Sequence, residues 1–176
     1  MTQVEPNEPV ILHLTQGKSC LIDSDQYEEV SQFVWHVTTH GYVARKYKGA
    51  CGKQKQEYLH RRLCRNPQGL FVDHINLNKL DNTMNNLRTC SQLENNHNIP
   101  GKTGKYKGVH RSRKAGRWVA QIRENGKTIS LGSFSSEVEG AEAYDRAAQR
   151  IYGEFAFLNF PTPEPCTCQI ALGVGA

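Results

Sequence analysis

A histidine among carboxylate and amide side chains lies near the middle of this 176-residue chain. Asp73 and His74 follow a short apolar run, and eight asparagines occur within residues 76–98. An imidazole has a reference pKa of about 6.5, so it can accept a proton near neutral pH. Asparagine also has a purely structural use, because its side chain bonds the backbone of turns. Any one of these asparagines, taken alone, therefore indicates only a loop.

The order and spacing of these residues favour chemistry over a plain loop. His74, Asn86 and Asn95 are separated by twelve and then nine positions. The apolar pattern predicts one strand at residues 70–75 and another at residues 87–90, with a polar loop between them. A capping box after the second strand predicts that a helix begins there. Its two residues are Ser91 and Glu94.

This frame resembles the HNH (His-Me finger, ββα-metal) nuclease motif in its His-Asn-Asn form. It is similar in particular to the homing-endonuclease branch of phages and mobile introns, where an aspartate precedes the histidine. The similarity covers about residues 58–98. The runs that carry it are Leu59-His60-Arg61-Arg62, Val72-Asp73-His74-Ile75-Asn76 and Asn86-Leu87-Arg88.

The resemblance implies a role for each of four residues. His74 is expected to be the general base, and Asp73 and Asn95 are expected to hold one Mg²⁺ or another divalent cation such as Mn²⁺. Asn86 is expected to pin the loop and orient the imidazole. Phosphodiester hydrolysis needs these groups, because a water must lose a proton while charge builds on the phosphoryl and leaving oxygens. A hard cation held by oxygen ligands supplies the compensating charge. The site is therefore expected to open onto a sugar-phosphate strand.

Several residues near the motif can be interpreted in more than one way. His60 is either a helix histidine that packs in the core or a direct participant in catalysis. His97 and Asn98 are rival ligands for the metal, because they lie close to Asn95 in the sequence. Arginines beside the motif are expected to contact phosphates, which gives affinity without sequence specificity. These are Arg61, Arg62 and Arg88.

The residues after position 105 show clean strand and helix signals. Apolar and polar side chains alternate over residues 118–123, which predicts a strand with one buried face. An Asn-Gly pair at residues 125–126 predicts a hairpin turn, and residues 128–131 form the returning strand. A second capping box precedes a helix whose apolar stripe recurs at spacings of three and four. The helix is expected to end at Gly153.

This second pattern closely resembles the ethylene-response-factor (Apetala-two) DNA-binding domain over residues 106–161. The runs that carry it are Tyr106-Lys107-Gly108-Val109-His110, Trp118-Val119-Ala120-Gln121-Ile122-Arg123, Leu131-Gly132-Ser133-Phe134, Ala143-Tyr144-Asp145-Arg146-Ala147-Ala148 and Leu158-Asn159-Phe160-Pro161. The family lays a three-stranded sheet in the major groove. The DNA-binding residues expected in this unit are Lys107, His110, Arg113, Arg123, Lys127 and Thr128.

Two departures from that family pattern change what the sheet is expected to read. Ser130 stands where plant members have a contacting tryptophan, and His110 replaces an arginine. The sheet is therefore expected to read other bases or to bind mainly through phosphates. Trp118 is interpreted as a core residue against the helix, not as a residue that stacks on bases.

Composition sets limits on the class of protein. The chain has 22 Lys and Arg against 17 Asp and Glu, a net charge of +5. Two basic blocks, residues 45–65 and 99–130, favour a polyanion partner such as double-stranded DNA, although such blocks also occur as solvated faces. No apolar run reaches the roughly 18 residues of a membrane helix, and the N-terminus lacks a signal-peptide pattern. Six cysteines without a C-x-x-C pair favour reduced thiols. An intracellular protein is expected, in the cytoplasm, the nucleoid or a virus-infected host cell, with no membrane partner and unknown protein partners.

The sequence thus predicts an α+β protein of two units. A small N-terminal β subdomain joins a ββα-metal nuclease motif, and a three-stranded antiparallel sheet packed on one helix follows. The expected boundaries are a tail at 1–9, a nuclease domain at 10–98, a linker at 99–105, a DNA-binding domain at 106–161 and a tail at 162–176.

The predicted function is that of a metal-dependent DNA endonuclease of homing type, tethered to its site by the second domain. A restriction-type defence nuclease has the same chemistry. The alternative from another class is a non-catalytic, sequence-specific transcription regulator with an inert nuclease motif.

Overall fold

A computed structural model describes residues 8–101, 104–113 and 116–161 of the chain. The chain divides into two compact units, Met1–Ile99 and Pro100–Ala176, and each is described by itself. Within the described ranges both units are mixed α/β bodies with small antiparallel sheets and few helices. Among these same residues no helix is both long enough and apolar enough to cross a membrane. The predicted tails at 1–9 and 162–176 lie almost wholly outside the described residues.

The first unit is built from short strands joined into three sheets. Its strands are β1 (Pro9–His13), β2 (Ser19–Asp23), β3 (His36–Val37), β4 (Val43–Lys48), β5 (Gln54–Tyr58), β6 (Phe71–His74) and β7 (Leu87–Cys90). Its helices are α1 (Tyr27–Ser31), α2 (Leu59–Leu63) and α3 (Gln92–His97). β1 pairs with β2, β4 pairs with both β3 and β5, and β6 pairs with β7. The strand–loop–strand–helix run β6–β7–α3 is the predicted motif.

One apolar core joins the elements of this unit from β1 to α2. Ile22 of β2, Val30 of α1, Val43 of β4 and Leu59 of α2 are fully buried in it. Trp35 fills its centre, and the indole Nε1 donates a hydrogen bond to the Val30 carbonyl over 2.8 Å, so its polar atom is satisfied. The N-terminal hairpin is therefore anchored by the same core as the helix that precedes the motif.

The second unit is a sheet of three strands with one helix packed on it. Its elements are β8 (Val109–Arg111), β9 (Trp118–Glu124), β10 (Lys127–Phe134) and α4 (Glu137–Tyr152). β9 is the central strand. Ala120 and Ile122 of β9 are buried, as are Tyr144 and Ala148 of α4, so the apolar face of the sheet meets the apolar stripe of the helix.

Local sequence rules predicted much of this pattern and missed part of it. The helix caps at Ser91 and Ser136 are confirmed, because each serine side chain accepts a hydrogen bond from the backbone N–H three residues on. The β5 strand was missed, since Gln-Lys-Gln-Glu-Tyr shows no apolar alternation; in the structure its Glu57 forms an ion pair with Arg45, directly across on β4. Helix α1 was missed because it has only five residues. Of the apolar and aromatic run at residues 33–37, only His36–Val37 forms a strand.

Gly108 sits where the sheet meets the helix, and any side chain there would collide. Its φ is +78°, and a Cβ would lie 2.0 Å from Tyr144 Cδ2 and 2.7 Å from the Gln121 carbonyl oxygen. We expect Gly108→Ala to destabilise the second unit by about 3 kcal/mol or more, because left-handed strain adds to overpacking. Native-state hydrogen exchange at the β9 amides of the full chain measures this.

Gly126 provides the matched control for that substitution. Its φ is +79°, yet nothing lies within 4 Å of the added Cβ. Gly126→Ala should therefore lose only roughly 1–2 kcal/mol, from backbone strain alone. Equal losses in the two variants would contradict the close approach of Gly108 to Tyr144.

Candidate functional site

The loop between β6 and β7 is closed by hydrogen bonds across its base. The N–H of Ile75 donates to the Asn86 carbonyl over 2.9 Å. The Asn86 side chain accepts from the N–H of Asn76 over 2.9 Å and donates to the Asp81 carbonyl over 2.7 Å. A single buried amide thus ties both ends of the loop to its middle, which is what pinning the loop requires.

The imidazole at the end of β6 contacts an asparagine from the middle of the loop. His74 Nε2 lies 3.3 Å from Asn82 Oδ1, and the side chain of Asn86 bonds within the loop. Asn82, which is fully buried, was not among the residues singled out from the sequence. The expected role of Asn86 in orienting the ring stays a prediction, through the loop that it pins.

The same contact decides which ring nitrogen carries the proton. The Asn82 amide nitrogen donates to the Lys79 carbonyl over 3.3 Å, so its oxygen faces the ring. An amide oxygen can only accept, and His74 Nε2 must therefore carry the hydrogen. Nδ1 of the neutral ring is then the atom with a free lone pair, as a general base requires.

Aromatic rings cover the imidazole. The ring centroids of His60 and Tyr42 lie 5.2 Å and 6.1 Å from that of His74. Burial lowers the pKa of His74, although the hydrogen bond to Asn82 and the charge of Asp73 partly oppose this. A lowered pKa keeps the ring neutral and able to accept a proton at neutral pH. His74 is only 4% exposed, so little of the residue is open to solvent in the free protein.

His60 packs against the His74 ring, and its Nδ1 makes no polar contact with the described residues. This atom is buried without a hydrogen-bond partner, and Tyr42 and Tyr58 lie against the ring with centroids 5.3 Å and 5.6 Å away. Burial, followed by the neighbouring His74 and Arg61, lowers the pKa of His60 to about 3. Between the two interpretations left open, this geometry favours a neutral packing residue.

Asp73 is a buried carboxylate whose hydrogen bonds from Arg88 and Asn98 both end on Oδ2. Its Oδ2 accepts hydrogen bonds from Arg88 Nη2 over 2.9 Å and from Asn98 Nδ2 over 2.9 Å. Its Oδ1 accepts no hydrogen bond from the part of the chain that the structure describes. Arg88 and Asn98 therefore neutralise and orient the group while one oxygen keeps its lone pairs, which suits a ligand for a hard cation.

Asn95 and Asn98 sit differently on and after helix α3. Asn95 is partly exposed, and its side chain forms no hydrogen bond with the described residues, so its amide oxygen is available as a ligand. Asn98 is buried and donates to the Asp73 carboxylate and to the carbonyls of His74 and Ile75. Asn98 is thus a donor at the end of β6, a role that differs from the metal ligand expected from its place in the sequence.

The donor set fits a cation that prefers oxygen. No group of three His, Cys, Asp or Glu side chains within the described ranges could hold a metal ion. One carboxylate and one amide oxygen are instead the kind of partial shell that Mg²⁺ completes with water and phosphate oxygens.

The three arginines of the first unit that were expected to contact phosphates are bonded within the protein. Arg61 donates to the Leu70 and Pro67 carbonyls, Arg62 forms ion pairs with glutamates, and Arg88 pairs with Asp73. Their predicted phosphate contacts would compete with these bonds. Four exposed lysines of the β4–β5 hairpin face solvent instead. They are Lys46, Lys48, Lys53 and Lys55.

The second unit presents a polar sheet face opposite its helix. His110, Gln121, Arg123, Thr128 and Ser130 are exposed there, and Arg123 stands directly across from Thr128. Of the other expected contacts, Arg113 and Lys127 are exposed. Lys107 is partly buried, and burial lowers its pKa to about 8. Trp118 packs against the cluster formed by Val109, Ala120 and Ala141, on the helix side of the sheet.

Comparison with known families agrees with this division. Residues 57–97 match the HNH endonuclease family, and residues 104–154 match the AP2 domain family. The chain thus combines an HNH endonuclease domain with an AP2 domain, an architecture that the sequence predicted.

Individual relatives resemble the chain over different lengths. An "Uncharacterized HNH endonuclease" of Acanthamoeba polyphaga mimivirus is 29% identical over 146 residues, which cover 82% of this chain and 76% of that protein. "Dehydration-responsive element-binding protein 2C" of Arabidopsis thaliana is 55% identical over 58 residues, 32% of this chain and 17% of that protein. The protein 2E of that name from Oryza sativa subsp. japonica is also 55% identical over 58 residues, covering 18% of its length. The chain spans less than a fifth of either plant protein.

The low pKa of His60 predicts that the first unit loses stability in acid. The unfolded chain binds a proton near pH 6.5 and the folded chain only near pH 3, so stability is lost as the pH falls between these values. The slope from one such group is about 1.4 kcal/mol per pH unit. We expect His60→Phe to reduce this slope, measured by urea titrations followed through the β6 amide NMR peaks.

A surface histidine of the same unit controls for the loss of any imidazole. His13→Gln, at an exposed position in β1, should leave the pH dependence as it is. His74 titrates with the same sign, so the slope is reduced and not abolished. An unchanged slope in His60→Phe would show that His60 is protonated in the folded protein.

Proposed function

We propose that this chain is a metal-dependent DNA endonuclease of homing type, in which His74 activates the attacking water. The observation that carries the proposal is a neutral imidazole with a fixed tautomer next in sequence to a carboxylate, Asp73, whose Oδ1 accepts no hydrogen bond from the described residues. Both groups stand in a strand–loop–strand–helix frame that matches the HNH endonuclease family. Phosphodiester hydrolysis requires this combination of a base and a charge-bearing neighbour.

Asp73 Oδ1 and the Asn95 amide oxygen are the proposed ligands of Mg²⁺ or a related cation such as Mn²⁺. When bound, the cation supplies positive charge where the phosphoryl and leaving oxygens become more negative. Arg88 holds Asp73 Oδ2 over 2.9 Å, so the carboxylate cannot turn its other oxygen away. The arginine thus acts on the ligand and only indirectly on the substrate.

His74 Nδ1 takes the proton of the attacking water in this proposal. Asn82 holds Nε2–H and thereby keeps the lone pair on Nδ1, while Asp73 stabilises the imidazolium that forms. The rings of His60 and Tyr42 lie against the imidazole, and bound DNA must place its phosphate and the attacking water within reach of Nδ1.

The proposed substrate is double-stranded DNA, and both units are proposed to bind it. The exposed sheet face of the second unit carries Arg123, Thr128 and His110, the positions that the resemblance assigns to DNA contacts. In the first unit Lys46 and Lys48 share one face of the β4–β5 hairpin, because alternate residues of a strand point the same way. Tethering the two binding surfaces raises the local concentration of the weaker one.

A second candidate is a DNA-binding regulator whose nuclease motif is inert. Two observations favour it: the 4% exposure of His74, and the 55% identity of the second unit to plant proteins named as element-binding. Only a cleavage assay separates this candidate from the endonuclease.

Incubation with supercoiled plasmid tests the proposed chemistry. We expect the wild-type chain to cut in the presence of Mg²⁺ and not in EDTA, and His74→Ala to lose at least about 100-fold in rate, because general-base catalysis contributes on that order. His74→Ala should bind DNA as the wild type does in a gel-shift assay. Relaxed circles indicate nicking, and linear product indicates paired cuts. Intact plasmid with the wild type under all cations would favour the inert regulator.

The hairpin lysines are expected to contribute to the salt dependence of DNA binding. Removing both charges in Lys46→Ala/Lys48→Ala should lower the slope of log K against log salt by roughly 1.8, since each phosphate contact accounts for about 0.9. Arg146→Ala/Arg150→Ala removes the same charge from exposed positions of α4 and should leave the slope unchanged. If both double variants lowered the slope equally, the change would reflect the net charge of the protein and not a contact made by the hairpin.

A further inference from the structure

The N-terminal hairpin holds the catalytic loop through the backbone of one residue. Leu21 N–H donates to the Leu80 carbonyl over 2.8 Å, and the Leu21 carbonyl accepts from the Asn82 N–H over 2.8 Å. The two bonds form an isolated parallel bridge between Leu21 and Asp81. The middle of the loop is thus attached to β2 as a short added strand would be.

A buried carboxylate at the end of β2 adds a third attachment. Asp23 Oδ2 accepts the N–H of Met84 over 2.8 Å, and Asp23 is only 5% exposed. A hydrogen bond to an ionised acceptor is stronger than one between neutral groups. Its neighbours Ile22 and Cys20 are buried in the core of the unit, so the strand that carries Asp23 cannot shift easily.

A single residue, Asn82, connects these attachments to the imidazole of His74. Asn82 is bound to Leu21 through its backbone and faces His74 through its side-chain oxygen. A displacement of the loop relative to β2 therefore moves the only hydrogen-bond acceptor that the described residues offer to the His74 ring. Residues 9–23, which form the hairpin, lie outside the region that matches the HNH endonuclease family.

We propose that the β1–β2 hairpin is the positioning element of the catalytic histidine, with Asp23 as its key side chain and Asn82 as the connection to the ring. This inference rests on the proposed function, in which His74 is the base. Asp23 and Asn82 are positioning residues, because they act on the reaction only through His74. The hairpin is then a working part of the nuclease and not a separate N-terminal attachment.

The proposal predicts a loss of rate without a loss of binding. Asp23→Ala frees the Met84 end of the loop, and we expect kcat for plasmid cleavage to fall roughly 10- to 100-fold, as small misplacements of catalytic groups do. KM should stay within about twofold of the wild type, because no DNA-contacting residue changes. Asp23→Asn should recover most of the rate, since the amide oxygen can still accept the Met84 N–H.

The tautomer of His74 gives a readout that does not depend on cleavage. In mildly alkaline solution the neutral ring of the wild type should show a protonated Nε2 and an unprotonated Nδ1 in ¹⁵N NMR spectra of the full chain. Asp23→Ala should mix the two tautomers, because Asn82 no longer holds Nε2–H in place. Asp25→Ala and Asn85→Ala change exposed polar residues beside Asp23 and in the loop, and both should keep the wild-type spectrum.

A second pair of variants covers the case in which Asp23→Ala does not fold. Asn82→Asp keeps an acceptor for the ring and should keep the tautomer, whereas Asn82→Leu has a similar volume without an acceptor and should mix the tautomers. Wild-type tautomer and kcat in Asp23→Ala, or in Asn82→Leu, overturn the proposal. Cleavage by His74→Ala would instead overturn the proposed base, and the NMR comparison would still decide whether the hairpin positions the ring.

Discussion

The loop after β6 buries polar side chains, so its shape depends on satisfying every one of their hydrogen bonds. Asn82, Thr83 and Asn86 are all buried, and the Thr83 hydroxyl donates to Asp81 over 2.8 Å while the two amides bond to backbone. A buried donor or acceptor that loses its partner costs about 1–3 kcal/mol. Alternative loop arrangements would break several of these bonds at once. The loop therefore has one favoured arrangement, although it contains little regular structure.

Burial is accommodated differently at His74 and at its acidic neighbour Asp73. Loss of solvent favours the neutral form of His74 and lowers its pKa. Asp73 stays compatible with burial because Arg88 and Asn98 bond to one of its oxygens. A neutral imidazole and a carboxylate bonded to a guanidinium can thus stand next to each other in sequence, with only 4% of His74 exposed.

Features that depend on neighbours in sequence were predictable, and features that depend on distant pairs were not. The capping box at Ser91, the N-cap at Ser136, the Asn-Gly turn and the alternation of β9 each follow from local rules. The second capping box is incomplete, because the Glu139 side chain accepts from the N–H of Ser135 and not from that of Ser136. The order of His74, Asn86 and Asn95 identified the motif for the same reason. The choice of Asn82 as the partner of the imidazole depends on its docking to Leu21, which no spacing reveals. The pairing of Arg62 with Glu29 and Glu57 likewise required the fold, since sequence alone shows only a basic run.

The hydrogen bond from Met84 to Asp23 joins residues 61 positions apart. Closing so long a stretch of chain has a large entropic penalty, and non-local contacts of this kind form slowly. A newly synthesised copy can thus bury its first apolar residues while its imidazole is still unaligned. The proposed base and its partner Asn82 thus reach their final arrangement only when parts of the first unit that are far apart in the sequence have met.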